Sequence, residues 1–136
     1  MAGWDATITE VEAYTRDDPA SHSFRGQTPR NEVMFGPAGV LYIYFVYGMH
    51  HCVNIVTGAE GDGQAVLIRA VVVDGIDPRR TTGPGRVCRQ LGIDRDFNGI
   101  TAIVHRGAAP TSVTVTNRIG ISRAADWPRR WLVQQR

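Results

Sequence analysis

The chain predicts an α+β fold, a single domain dominated by antiparallel β-sheet with a protruding β-hairpin and few short helices. Three observations carry this. Alternating, β-branched runs recur along the chain. Two tight turn signals, one at Tyr47-Gly48 and one at Glu60-Gly61-Asp62-Gly63, join three of those runs in succession. Helix signals are confined to two short stretches.

The first predicted strand is Thr7–Tyr14, with Ile8, Glu10, Glu12 and Tyr14 on one face and Thr9, Val11 and Ala13 on the other. Asp18-Pro19 then predicts a short helix carrying His22. Phe24 to Pro37, punctuated by TPRN and GPAG, reads as a loop. Strands follow at Val40–Tyr47, His50–Thr57 and Gln64–Val73, with Tyr47 at the tip of the first hairpin. Pro84 to Leu91 predicts a helix from the spacing of Val87 and Leu91, with Gly92 placed to end it. Weaker strands are predicted at Thr101–His105, Thr111–Thr116 and near Trp131–Val133.

Composition narrows the functional classes. A chain of 136 residues with 43% hydrophobic content supports one core. The longest apolar run, Gly39–Met49, is about half of a membrane span, and residues 1–20 lack a secretory h-region, so a cytoplasmic protein is expected. Cys52 and Cys88 have no CxxC partner and read as buried thiols. Residues 1–68 hold three arginines against eight acids, whereas residues 69–136 hold twelve against five. A basic half is compatible with a polyanion partner. No lysine occurs, which excludes a lysine Schiff-base nucleophile.

Several residues invite a chemical reading beside an ordinary one. Glu12 is either a solvated strand carboxylate or one aimed into a cleft, where it could act as a general base. His22 and the pair His50-His51 show no metal-ligand spacing, since neighbours on a strand face opposite ways, and no metal site is expected. Tyr14, Tyr42, Tyr44, Phe45 and Tyr47 are partly core, yet a tyrosine at a hairpin tip has little core to enter and could stack on bases or wedge between them. Asn54 stands mid-strand, as a structural hydrogen-bonder or a reader of a ligand. Arg69, inside VLIRAVVV, requires an anion, either a carboxylate or a phosphate.

In order, the blocks EVEAY, ASH, QTPRN, MFGPAGVLYIYFVYGMHHCVNI and VLIRA resemble the 3-methyladenine DNA glycosylase family, the alkyladenine glycosylases. The resemblance runs from Ile8 to Ala70 and resumes at GPGRVCRQLGI, Arg118-Ile119-Gly120-Ile121 and Asp126-Trp127. It implies a metal- and cofactor-free, monofunctional glycosylase without lyase activity. Such an enzyme acts on double-stranded DNA, flipping out alkylated or deaminated purines and leaving abasic sites; for this chain a monomer is expected. The purines implied are 3-methyladenine, 7-methylguanine, hypoxanthine and ethenoadenine.

The same resemblance makes Glu12 the base that activates water, Arg69 the holder of that water and a neighbouring phosphate, and the Ile119 carbonyl a group near the water. Tyr14, His22 and Tyr44 become the walls around the flipped purine, and Asn54 the side chain that obstructs the 2-amino group of guanine. Tyr47 fills the gap in the duplex with Met49 beside it, and Thr28, Arg30 and Met34 lie along the DNA-facing surface. Glu10 has no counterpart in this chemistry. Against the family pattern, the usual N-terminal segment and part of the region after Arg69 are expected to be missing from the one domain spanning 1–136. The alternatives are a truncated, weakly active or inactive DNA-binding remnant of the family, or a small-molecule-binding β-domain. Only the last would lack salt-dependent affinity for DNA.

Overall fold

Alternation yields strand wherever the sequence supplies each run with a neighbour. The computed structural model describes residues 4–133. Its strands are β1 (Thr7–Tyr14), β2 (Leu41–Val46), β3 (His50–Thr57), β4 (Gln64–Val72), β5 (Val113–Thr116) and β6 (Arg130–Val133), and its one α-helix among the described residues is α1 (Pro84–Leu91). They form an antiparallel sheet of order β2-β3-β4-β1-β6-β5. The α+β class is therefore as the sequence predicts.

The two faces of the sheet do different things. On one, Ile43, Val53, Ile68 and Val71 pack against Val87, Cys88 and Leu91 of α1. Proline opens α1, and Gly92 closes it in the left-handed region at φ 67°. On the other face, strand register sets Tyr42, Asn54, Leu67 and Glu12 side by side across β2, β3, β4 and β1. Beside this row Met34, Phe35, Val40, Tyr42, Val56 and Ala65 form a second core cluster. The chain between β1 and β2 covers it.

Three expectations need correction. The segment after Asp18 is a run of turns with no helix: Asp18 accepts the Ser21 N–H on its carbonyl and the Ala20 N–H on its side chain, and further turns close at Phe24 and Gly26. Ser21 draws the Ser23 N–H onto its own hydroxyl, and such local bonding competes with a helix. The predicted loop from Phe24 to Pro37 contains a 3-10 turn at Glu32–Phe35. At Thr101–His105 only Thr101 bridges to Val40, and Ile103, 85% exposed, has left the sheet. Alternation without a neighbouring strand does not make one.

Gly63 shows how closely the second cluster is packed. It adopts φ +68°, and a Cβ there would lie 2.6 Å from the Phe35 ring. Gly63→Ala is expected to lower stability by about 1–3 kcal/mol through overpacking, read as a lower urea midpoint. An unchanged midpoint would mean that the Phe35 ring yields freely.

Candidate active site

The front row of the sheet opens into a cavity of about 300 Å³. Its walls bring together Glu12, Tyr14, His22, Met34, Tyr44, Tyr47, Asn54, Arg69 and Ile119, which arrive from β1, β2, β3, β4 and the loops beside them. Thr28, Arg30 and Met49 are exposed residues outside this lining. Met34 departs from its expected place on the surface. It is 3% exposed, because the 3-10 turn at Glu32–Phe35 drives it into the second core cluster, where it also lines the cavity.

Glu12 is the centre of the polar network and is wholly buried, 0% exposed. The solvated reading of this carboxylate is thereby excluded. Its Oε1 accepts the Tyr14 hydroxyl at 2.9 Å, and its Oε2 accepts the Ile119 N–H at 2.8 Å. Arg69 Nη1 lies 3.4 Å from the same Oε2. An ionised carboxyl offers about four acceptor positions, so these donors leave one open on Oε1. Ile119 thus meets Glu12 through its amide N–H. Burial and the Glu12 charge push the Tyr14 phenol well above its ordinary pKa, so it stays protonated and keeps donating.

Aromatic rings make a further part of the wall. His22 and Tyr44 meet edge-on with centroids 4.4 Å apart, and the His22 Nδ1 is paired with the Tyr42 hydroxyl at 2.9 Å. Burial pushes the Tyr42 phenol up to about 12. Loss of solvation, reinforced by the nearby Arg30, holds the His22 imidazole below its usual range, so it is neutral at pH 7. Asn54 is buried and donates to the Tyr42 carbonyl at 3.1 Å. Its amide is therefore anchored in the sheet while it faces the cavity.

At the mouth stands the β2–β3 hairpin tip. Tyr47 is 84% exposed and Met49 70%. The turn closes through the Met49 N–H on the Val46 carbonyl at 3.0 Å, with Tyr47 at φ 56° and Gly48 at φ 65°. A tyrosine in the left-handed region costs about 1 kcal/mol or more, and such strain concentrates at functional sites.

Other residues that organise the site were not legible as such. Asp18 and Arg118, both buried, form a two-pronged ion pair, Nη2–Oδ1 at 3.0 Å with Nη1 on Oδ2. Arg118 also donates to the Ala13 carbonyl and lies 4.7 Å over the Tyr14 ring, which sets the next residue, Ile119, against Glu12. Asn31, the last letter of TPRN, accepts the Thr28 N–H and donates to the His22 and Gly26 carbonyls, fixing the loop that carries Thr28 and Arg30. Among the described residues, no group of three or more His, Cys, Asp or Glu is arranged to hold a metal ion.

The site is an aromatic-walled cavity with a buried, donor-held carboxylate and an exposed tyrosine at its mouth. The sequence model of methylpurine-DNA glycosylase matches residues 2–136, and the chain belongs to that family. A protein of Methanoculleus marisnigri named "Putative 3-methyladenine DNA glycosylase" is 46% identical over 93% of this chain and 78% of its own length. Like-named proteins of Myxococcus xanthus and Rhodopseudomonas palustris are 51% identical over 88% of this chain and 67% of their own, and 43% identical over 96% and 74%. No helix among the described residues is long and apolar enough to cross a membrane.

Proposed function

We propose that this protein is a monofunctional glycosylase of base-excision repair, hydrolysing the N-glycosidic bond of alkylated or deaminated purines in double-stranded DNA and leaving abasic sites. The observation that carries this reading is Glu12, buried in an aromatic cavity with three donors on its oxygens and one acceptor position open. A base cannot be cut inside the stack, so it must be turned out of the duplex, which costs a few kcal/mol. Tyr47 at the hairpin tip is shaped to fill the space left behind. Tyr14 on one side, with His22 and Tyr44 on the other, offers the extruded purine new stacking partners. As the bond from the anomeric carbon to the purine nitrogen breaks, its electron pair leaves with the purine and the ionised Glu12 faces the positive charge that develops on the sugar; Glu12 then takes the proton of the water that adds to the anomeric carbon. The open position on Oε1 is where that water would be held. Asn54, anchored on Tyr42, excludes the 2-amino group of guanine.

Incubating the protein with duplexes containing hypoxanthine or ethenoadenine tests the reading. Alkali-labile abasic sites are expected, with intact strands before alkali. Folded protein that leaves both duplexes unchanged would overturn it.

Tyr47→Ala is expected to weaken binding to a lesion duplex by about 1–3 kcal/mol, the worth of one stacking contact. Because Tyr47 is so exposed, the melting temperature should hold. The loss should shrink on a single strand, where there is no gap to fill. An equal loss on both substrates would make Tyr47 a structural residue only.

A further inference from the structure

Sequence alternation offers Glu10 as a bystander on the same face as Glu12, but its surroundings are unlike a solvated carboxylate's. Its side chain is 13% exposed, and its Oε2 accepts Arg69 Nε at 3.0 Å and Arg130 Nη1 at 2.8 Å. The Arg69 guanidinium is therefore shared: Nε is hydrogen-bonded to Glu10, while Nη1 approaches Glu12 at the longer distance of 3.4 Å. A planar fork held at Nε cannot turn about its long axis without breaking that bond.

The backbone is irregular at this same pair. Ile8 faces Val71, but Glu10 faces Ala70 and Val11 faces Ile68, so the β1–β4 ladder slips at Glu10 and Arg69. Arg69 and Ala70 instead reach toward the segment before α1: the Arg69 carbonyl accepts the Gly83 N–H at 2.7 Å, and Ala70 bridges Thr82. Where the ladder is disturbed, the Glu10–Arg69 ion pair ties β1 to β4. Such irregularities commonly re-aim a side chain beside a functional site.

We infer that Glu10 is a positioning residue that fixes the guanidinium of Arg69 against Glu12 and the cavity. This rests on the glycosylase reading proposed above. Glu10 touches neither base nor sugar in that reading; it acts through Arg69. The other role open to it is structural, as a tie between β1 and β6 through Arg130, which also holds the Asn117 carbonyl with its Nε.

A double-mutant cycle separates the two roles. Glu10→Gln keeps the shape of the side chain but removes the charge that holds Nε. Arg69→Lys keeps a cation between the two carboxylates but removes the fork. Single-turnover excision of hypoxanthine from a duplex, affinity for the same duplex and the melting temperature are measured for the four proteins of the cycle and for Glu12→Gln. In the parental background, Glu10→Gln is expected to slow excision about tenfold, with affinity changed by no more than about twofold. In the Arg69→Lys background the same change should cost less than about twofold, because there is no fork left to orient. A purely structural tie would lower the melting temperature and slow excision equally in both backgrounds. That result, or a parental rate for Glu10→Gln beside an inactive Glu12→Gln, overturns the assignment. A parental rate for Glu12→Gln overturns the glycosylase mechanism instead, so the two failures are distinguishable.

Discussion

Glu12→Gln is expected to lower the single-turnover rate of purine excision by at least about 10²-fold while the protein stays folded. That is the lower range for losing a general base. The amide fits the site. Its oxygen can still accept the Ile119 N–H, and the Tyr14 hydroxyl, which now donates to Glu12, can reverse and accept from the new NH₂. What is lost is the negative charge beside Arg69 and the capacity to take a proton. Affinity for lesion DNA should stay the same or improve, since a carboxylate near phosphates becomes neutral. A folded variant that cleaves at the parental rate would remove Glu12 from the chemistry.

The second large effect is expected on stability, at the Asp18–Arg118 pair. Both side chains are fully buried, and the pair joins the turn after β1 to the segment that presents Ile119. Asp18→Ala leaves the Arg118 guanidinium buried without its counter-ion, which costs about 3–5 kcal/mol. Its Nε is already without a hydrogen-bond partner, and the Ala13 and Ala124 carbonyls that remain to it carry no countercharge. Urea unfolding should show a correspondingly lower midpoint. Because Ile119 is then held less firmly, excision should slow as well, even at temperatures where the variant is folded. The double variant Asp18→Ala/Arg118→Met is expected to be more stable than Asp18→Ala alone, because the buried guanidinium is gone and only the partly exposed Arg129 loses its ion-pair partner. If Asp18→Ala melted with the parent, the pair would not be what holds this segment in place.

Local signals in the sequence were sufficient for the parts of the fold that depend on neighbours in the chain. β1, β3 and β4 lie at or within a residue of their predicted bounds because each alternates and is followed by a turn whose residues suit it. Pro84 and Gly92 bound α1 for the same reason. Asp18-Pro19 failed because an aspartate that could cap a helix is equally an ion-pair partner, and Arg118 lies 100 residues away. The run at Thr101–His105 failed because a strand needs an edge to join, and the chain leaves the β2 edge after Ala102.

The same distinction applies to the site. Register alone aligns Tyr42, Asn54, Leu67 and Glu12 once the hairpins are known, so the cavity face follows from the strands. Nothing local told Glu10 from a surface acid. Its role in the network is set by the slip against Arg69 and by Arg130 arriving on β6. Arg118 likewise read as one more cation of a basic half, although its side chain is buried and committed to Asp18.

The central claim is that the Glu12 carboxylate faces the positive charge that develops on the sugar. The most direct measurement compares the affinity for two duplexes, one with a cationic pyrrolidine replacing the target sugar and one with an uncharged tetrahydrofuran. Transition-state mimics gain at least about 10²-fold over ground-state ligands when a site is built for the transition state. The account predicts that the protein prefers the cationic duplex by at least that factor and that Glu12→Gln abolishes most of the preference while binding the neutral duplex as before. Equal affinity of the parent for both duplexes, or a preference that survives in Glu12→Gln, would contradict it.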